Sequence, residues 1–318
     1  MTIRSLLLIF TVAILCFLSC KPDDSSDAYI QPARDRTVQQ EADKDSLLNY
    51  LSTHYYNSSV FGIPGDYTYQ DIVITELPDV NNDGVYEDLP SPETNTLLID
   101  DIETHVVEYQ DVEYEYYILR LNQGGGATPY SSDTVNINYF GQFFDGDDFD
   151  STVNPTTFDL ANPTLIEGWR VIIPSFGTTE NIDENEDGTF SYSNYGLGVM
   201  FIPSGLAYFN SPPFDSEISQ YENLIFKFEL YTSDANDHDG DLILSYLEDL
   251  NGDGDVYDDD TDNDGLPNFF DADDDGDGVL TRYEDIDNDG DPTNDDTDSD
   301  GIPNYLDAGT TLSNQDDN

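Results

Sequence analysis

The sequence has few cysteines, few basic residues and no long apolar run, and each shortage removes a class of protein. Its two cysteines, Cys16 and Cys20, both lie near the N-terminus, so the rest of the chain can form no internal disulfide. Lys and Arg number 9 against 68 Asp and Glu, a formal charge of −59. A nucleic-acid partner needs a basic footprint and is excluded. The longest apolar stretch, residues 6–17, is about a dozen residues, where a helix crossing a bilayer needs ~20. Tryptophan occurs once, as Trp169.

The N-terminus has instead the layout of an export signal over residues 1–20, with Arg4 before the apolar stretch and Phe17-Leu18-Ser19-Cys20 closing it. The closing residues resemble the lipobox of bacterial lipoproteins. That resemblance implies lipid on Cys20, a membrane held through an N-terminal anchor, and residence in the cell envelope as an outer-membrane lipoprotein, periplasmic or surface-exposed. Lys21-Pro22-Asp23-Asp24 resembles the tag by which Bacteroidetes export lipoproteins to the surface. An ordinary signal peptide is the plainer alternative. Residues 21–36 read as a polar tether.

Residues 37–56 read as a helix, with Thr37 and Gln40 placed for a capping box and Val38, Leu48, Leu51 and Tyr55 on roughly one face. Runs with strand character follow at 71–77, 96–99 and 113–121. Gly124-Gly125-Gly126 makes a break. The expected organisation is an N-terminal extension over 37–120, a core domain over 121–232 and an acidic tail over 233–318.

The core carries Val135-Asn136-Ile137-Asn138-Tyr139-Phe140-Gly141, Phe149-Asp150-Ser151, Phe158-Asp159-Leu160, Leu165-Ile166-Glu167-Gly168-Trp169, Ser204-Gly205-Leu206-Ala207-Tyr208 and Leu224-Ile225-Phe226-Lys227-Phe228-Glu229-Leu230. In this order and spacing the segments resemble the FK506-binding type of peptidyl-prolyl cis-trans isomerase, over about 100 residues. The resemblance implies an α+β fold, with a curved antiparallel sheet around a short helix near residues 167–173. It implies a catalytic pocket lined by Tyr139, Phe149, Asp150, Phe158, Leu165, Ile166, Trp169, Tyr208, Ile218 and Phe226. Trp169 would be the floor and Tyr139, Phe149 and Phe226 the walls. Tyr208 would donate to the carbonyl before the proline, the Ile166 N–H would hold the other side, and Asp150 would orient Tyr139. Catalysis would need no cofactor, and the partners would be proline-containing polypeptides. Three features depart from the family pattern: Phe209 stands where a glycine is usual, Ser219-Gln220 replaces a proline pair, and residues 177–196 are an insertion.

The tail is different in kind. Residues 234–318 hold 30 acids and one base, Arg282, a charge that opposes compaction without counterions. Residues 237–272 align without gaps on 273–308, with 20 identities over 36 positions, the mark of a repeat array. Within the array, Asp273, Asp275, Asp277, Gly278 and Glu284 match the full EF-hand calcium pattern. Asp237, Asp239, Asp241 and Glu248 match it with Leu242 in place of glycine. Asp260, Asp262, Asp264 and Asp271, and likewise Asp296, Asp298, Asp300 and Asp307, end in aspartate instead. Two more loops start at Asp249 (Asn251, Asp253, Asp260) and Asp285 (Asp287, Asp289, Asp296). Loops that almost abut resemble thrombospondin type 3 repeats more than paired EF-hands, and imply Ca2+ as the tail's ligand. The similar openings at 79–84 and 183–188 lack an acid at position twelve and read as tight turns.

Two functions fit the sequence. One is an envelope foldase that isomerises X-Pro bonds and carries a calcium-binding tail. The other is a non-catalytic surface or adhesive module that keeps the peptide pocket and uses the calcium array as a spacer.

Overall fold

The computed structural model describes residues 32–315; the export signal, Cys20 and most of the tether lie outside the described residues. Helix α1 spans Arg36–Thr53, and its cap is Asp35, whose side chain accepts from the Val38 N–H at 3.0 Å. The expected Thr37–Gln40 box is not the cap, because both residues already lie inside the helix. The buried stripe is Gln39, Gln40, Asp43, Leu47, Tyr50 and Leu51, while Val38 points to solvent. The expected apolar face is right at Leu51 and wrong at Val38: polar residues share the buried stripe, and Gln39 and Asp43 have partners there. The Asp43 carboxylate accepts from the Ser204 N–H at 3.0 Å and the Ser204 hydroxyl at 2.6 Å, and Gln39 donates to it at 2.6 Å.

The helix stops at Thr53, short of residue 56, because β1 (His54–Tyr56) takes up pairing between β2 (Ile74–Glu76) and β3 (Thr96–Leu97). The run expected as a strand at 96–99 breaks at Leu98, where a single helical turn, α2 (Leu98–Asp101), begins. A strand the sequence reading did not anticipate follows, β4 (Glu103–Tyr109), and pairs with β5 (Val112–Asn122).

Strand β5 crosses the boundary placed at residue 120. It belongs to the main sheet and pairs with β11 (Gly196–Ile202), which pairs with β12 (Leu224–Asp234); β12 pairs in turn with β6 (Thr134–Gln142). β7 (Asp148–Ser151) and β8 (Thr156–Asp159) both pair with β6, and every pairing is antiparallel. The insertion at 177–196 contains an exposed hairpin, β9 (Asn181–Glu184) with β10 (Phe190–Ser193). Its turn accounts for the opening at 183–188: the Asn185 N–H donates to Thr189 O at 2.8 Å.

Alternation along the strands sorts two cores. Ile118, Met200, Ile202, Phe226 and Phe228 face α3 (Glu167–Ile172), whose Trp169 and Ile172 complete that layer. Tyr117, Leu119, Val199, Phe201 and Ile225 face the other way and are covered by Leu47, Leu51, Tyr56, Ile72 and Leu98 of the N-terminal region. β11 is buried at every position, which explains why its sequence is wholly apolar.

The tail has no strand or long helix among the described residues, only turns of 3-10 helix such as Ser245–Glu248, Asn268–Phe270 and Asn304–Leu306. The repeats reproduce each other's bonds: Asn268 N donates to Asp259 O at 2.8 Å and Asn304 N to Asp295 O at 2.7 Å. The first repeat packs on the core domain. Phe269 and Val256 bury Ala161, Tyr257 donates to Ala161 O, and Ser131 donates to Gly254 O at 2.7 Å. Such docking differs from a free-standing spacer.

Candidate functional site

Strand β6 ends on the open side of α3, and alternation puts Tyr139 on the helix face beside Ile137. The walls close over Gly141. A Cβ there would sit 2.6 Å from the Phe149 ring and 3.0 Å from that of Phe226, so glycine is what lets both rings approach. Trp169 is 3% exposed at the base. Its ring lies 5.6 Å from Tyr139, 5.4 Å from Phe158 and 4.9 Å from Phe226, all tilted or edge-on, the arrangement aromatic quadrupoles prefer.

The result is a cavity of about 310 Å³, at the small end of ligand pockets. Tyr139, Phe149, Asp150, Phe158, Leu165, Ile166, Trp169, Tyr208, Ile218 and Phe226 all line it, joined by Thr164, Pro213 and Ser216. Pro213 and Ser216 come from the loop at 209–217, which overhangs the opening. The Tyr139 hydroxyl donates to Asp150 Oδ2 at 2.6 Å, and Asp150 Oδ1 accepts from the Ser151 N–H at 2.8 Å. Burial first, and then the Asp150 charge, raise the Tyr208 hydroxyl above the ordinary tyrosine range, so it remains a donor. Ile166 is the extended residue before α3.

Phe209 is absent from the lining. Its φ is +50°, the left-handed region, which accounts for the usual glycine. The ring turns away from the cavity and is buried beneath the Arg36 guanidinium at 4.1 Å, with Tyr221 edge-on at 5.0 Å. Gln220 donates its side chain to Asn210 O at 2.9 Å, bracing the same loop.

The tail places a second set of groups. In all six loops the first aspartate accepts from the N–H of position six at 2.8–3.3 Å. Position three accepts from position five at 2.9–3.2 Å. Position five accepts from position seven at 2.6–3.0 Å. At positions three and five these bonds tie one carboxylate oxygen by a backbone N–H, whereas at Asp237, Asp249, Asp285 and Asp296 both oxygens of the first aspartate accept backbone N–H bonds. Ligand-grade triads result at Asp237–Asp239–Asp241, Asp260–Asp262–Asp264, Asp273–Asp275–Asp277 and Asp285–Asp287–Asp289, with oxygens within 4.8 Å of one another. Asp239, Asp241, Asp260, Asp273, Asp275 and Asp277 each retain a buried oxygen with no hydrogen-bond partner, and Glu248 and Glu284 retain two. Burial, and then neighbouring aspartates, push Glu248 up to about 10 and Glu284 to about 9.

Position six has φ of +90° to +97° at Gly254, Gly265, Gly278, Gly290 and Gly301, and Leu242 is held at +86°. Asp271 and Asp307 make local bonds instead, to the Asp273 N–H at 3.0 Å and the Gly309 N–H at 3.0 Å. The turn at 79–84 copies the first rung, with Gly84 N donating to Asp79 Oδ2 at 2.8 Å. Single-loop spacing did not flag Asp274, which is buried beside Asp241 and Glu248.

An aromatic-walled cavity beside an antiparallel sheet wrapped on one short helix is the arrangement of a proline-binding isomerase domain. The profile of the family described as FKBP-type peptidyl-prolyl cis-trans isomerase matches residues 125–231. FK506-binding protein 1 of Saccharomyces cerevisiae is 30% identical over 103 residues, 31% of this chain and 90% of that protein. The outer membrane protein MIP of Legionella longbeachae is 32% identical over 116 residues, 35% of this chain and 40% of that protein. Among solved structures, a peptidyl-prolyl cis-trans isomerase from Pseudomonas syringae is 25% identical with a TM-score of 0.31, covering 40% of this chain and 80% of the other. FkpA from Escherichia coli is 25% identical with a TM-score of 0.30, covering 40% and 51%. A second profile, described as BamM C-terminal, matches residues 238–290 in the tail. The chain belongs to the FKBP-type peptidyl-prolyl cis-trans isomerase family, and it is an enzyme of that class, acting on proline-containing polypeptides.

Proposed function

We propose that the protein is a folding catalyst of the bacterial cell envelope, anchored through lipid on Cys20, that isomerises X-Pro bonds in the 310 Å³ cavity and carries a calcium-binding tail. The observation that carries the catalytic part is the gathering of ten motif-derived residues around one cavity with Trp169 beneath it. Rotation about an X-Pro amide has a barrier of ~18–20 kcal/mol, and the amide loses resonance as it twists. An apolar cavity disfavours the planar, polar amide relative to the twisted one. Tyr208 donates to the carbonyl before the proline, the Ile166 N–H holds the chain on the other side, and Asp150 holds the Tyr139 hydroxyl beside the ring. Each ~1.4 kcal/mol of differential binding is tenfold in rate. A proline-isomerisation assay on purified protein tests this: a rate equal to the uncatalysed one in a folded sample leaves only the non-catalytic peptide-binding module.

Calcium in the tail is supported by the inward, unpartnered oxygens of Asp239, Asp241, Asp273, Asp275, Asp277, Glu248 and Glu284, which a hard cation satisfies. The tail's few apolar side chains cannot offset the ordering of its backbone at ~1–2 kcal/mol per residue, so ion binding and folding are one event. Hydrogen exchange with calcium and with chelator tests it; equal protection of residues 237–308 in both leaves a solvated acidic tail. The envelope location is supported by the lipobox and by the Legionella relative, which is named an outer membrane protein. No helix of the described residues is long and apolar enough to cross a membrane. Fatty-acid labelling that survives Cys20→Ser sinks the anchor.

A further inference from the structure

Positions 238 and 274 are equivalent in the 36-residue period and make equivalent local contacts. His238 Nδ1 lies 2.8 Å from the Ser245 hydroxyl, and the Thr281 hydroxyl donates to Asp274 Oδ2 at 2.6 Å. Their outward neighbours differ. His238 Nε2 lies 3.3 Å from Asp159 of the core domain. Asp274 reaches back into the first repeat, where oxygens of Asp241, Glu248 and Asp274 lie within 4.8 Å of one another.

These three side chains are 0%, 1% and 1% exposed. One oxygen of Asp241 accepts from the Ile243 N–H at 2.8 Å, and one of Asp274 from Thr281. Asp241 Oδ2, Asp274 Oδ1 and both oxygens of Glu248 have no hydrogen-bond partner. No Lys, Arg or His forms an ion pair with any of the three among the described residues. Four unpartnered carboxylate oxygens gathered in a buried space call for protonation or a cation, and a cation also supplies the partner that each oxygen lacks.

We propose that Asp241, Glu248 and Asp274 form a divalent-cation site shared by the two repeats. Its all-oxygen ligands suit calcium rather than a nitrogen- or sulfur-seeking metal. The proposal rests on the calcium reading of the tail and adds to it a ligand from outside any single loop. Asp241 also belongs to the Asp237–Asp239–Asp241 triad, and Glu248 is position twelve of the same loop, so Asp274 is the ligand that the second repeat adds. The shared ion fastens the second repeat to the first, which itself docks on the core domain.

Two measurements on the full chain test the site. Native mass spectrometry in calcium should count one ion fewer in Asp274→Asn than in wild type, while Glu93→Gln, an exposed residue outside the tail, keeps the wild-type count. Anomalous diffraction from wild-type crystals soaked in terbium should place a peak between the three carboxylates, an outcome that does not depend on any variant folding. Terbium in the loops with none between Asp241, Glu248 and Asp274, or an unchanged count in Asp274→Asn, overturns the shared site alone. No ion anywhere in the tail overturns the calcium reading and the shared site with it.

Discussion

Replacing Phe209 with the glycine usual in the family tests why this chain departs from it. The φ of +50° at Phe209 costs a non-glycine residue about 1–3 kcal/mol, which Phe209→Gly would relieve. Against that stands a ring that is 6% exposed, stacked under Arg36 at 4.1 Å and edge-on to Tyr221. Deleting a buried phenylalanine costs about 3–5 kcal/mol, and the cation–π contact lies within that sum or adds up to ~1. Burial wins at the midpoints, about 4 kcal/mol against about 2, so Phe209→Gly should lose roughly 2 kcal/mol and melt roughly 4–8 °C lower. Because Phe209 does not line the cavity, kcat/KM at a temperature where both proteins are folded should agree within about twofold, well under the ~1.4 kcal/mol of a tenfold effect. Arg36→Ala should show a smaller loss in the same direction. Denaturant melts and the isomerisation assay measure both quantities. A glycine variant as stable as wild type, or one with altered turnover, refutes the account of Phe209 as an anchor between α1 and the pocket loop.

Three further outcomes are expected. Tyr208→Phe should lower kcat/KM about two- to tenfold with an unchanged melt, the worth of one hydrogen bond at ~0.5–1.5 kcal/mol. Leu242→Gly should raise the calcium-loaded melting temperature, since it relieves a left-handed leucine at φ +86° worth about 1 kcal/mol or more; an unchanged or lower temperature counts against the loop geometry. Burial lowers the Lys227 ammonium from 10.5 to about 8, with Nζ donating to Ile72 O at 2.9 Å. Its folded pKa lies below its unfolded one, so the unfolded chain binds more protons between pH 8 and 10.5 and stability rises with pH across that window. The rise should be about 3 kcal/mol, and the difference between wild type and Lys227→Met measured at pH 8 and pH 10 isolates it.

Resemblance to the family's ordered motifs was enough to select the ten residues that surround the cavity, including Leu165, Ile166, Tyr208 and Ile218, which lie in turns or coil where no strand or helix period fixes a direction. Alignment of the chain on itself was enough to reveal the tail's two repeats, since a period of 36 residues is a one-dimensional property. The α+β class followed from the same segments. Other features were settled only by contacts between distant residues. Asp43 meets Ser204 across 161 positions, so the buried face of α1 is partly polar and could not be read from apolar spacing. Strand β5 joins the main sheet rather than the extension because β11 is its neighbour, and strand propensity does not name a partner. Phe209 faces α1 because Arg36 is there to receive it. Asp274 stands beside Glu248 because the second repeat folds back on the first. Local pattern determined which groups exist and which way each points along its own element. Tertiary packing decided which of them share a volume, since burial and buried charge are properties of neighbours that the chain brings together only when it folds.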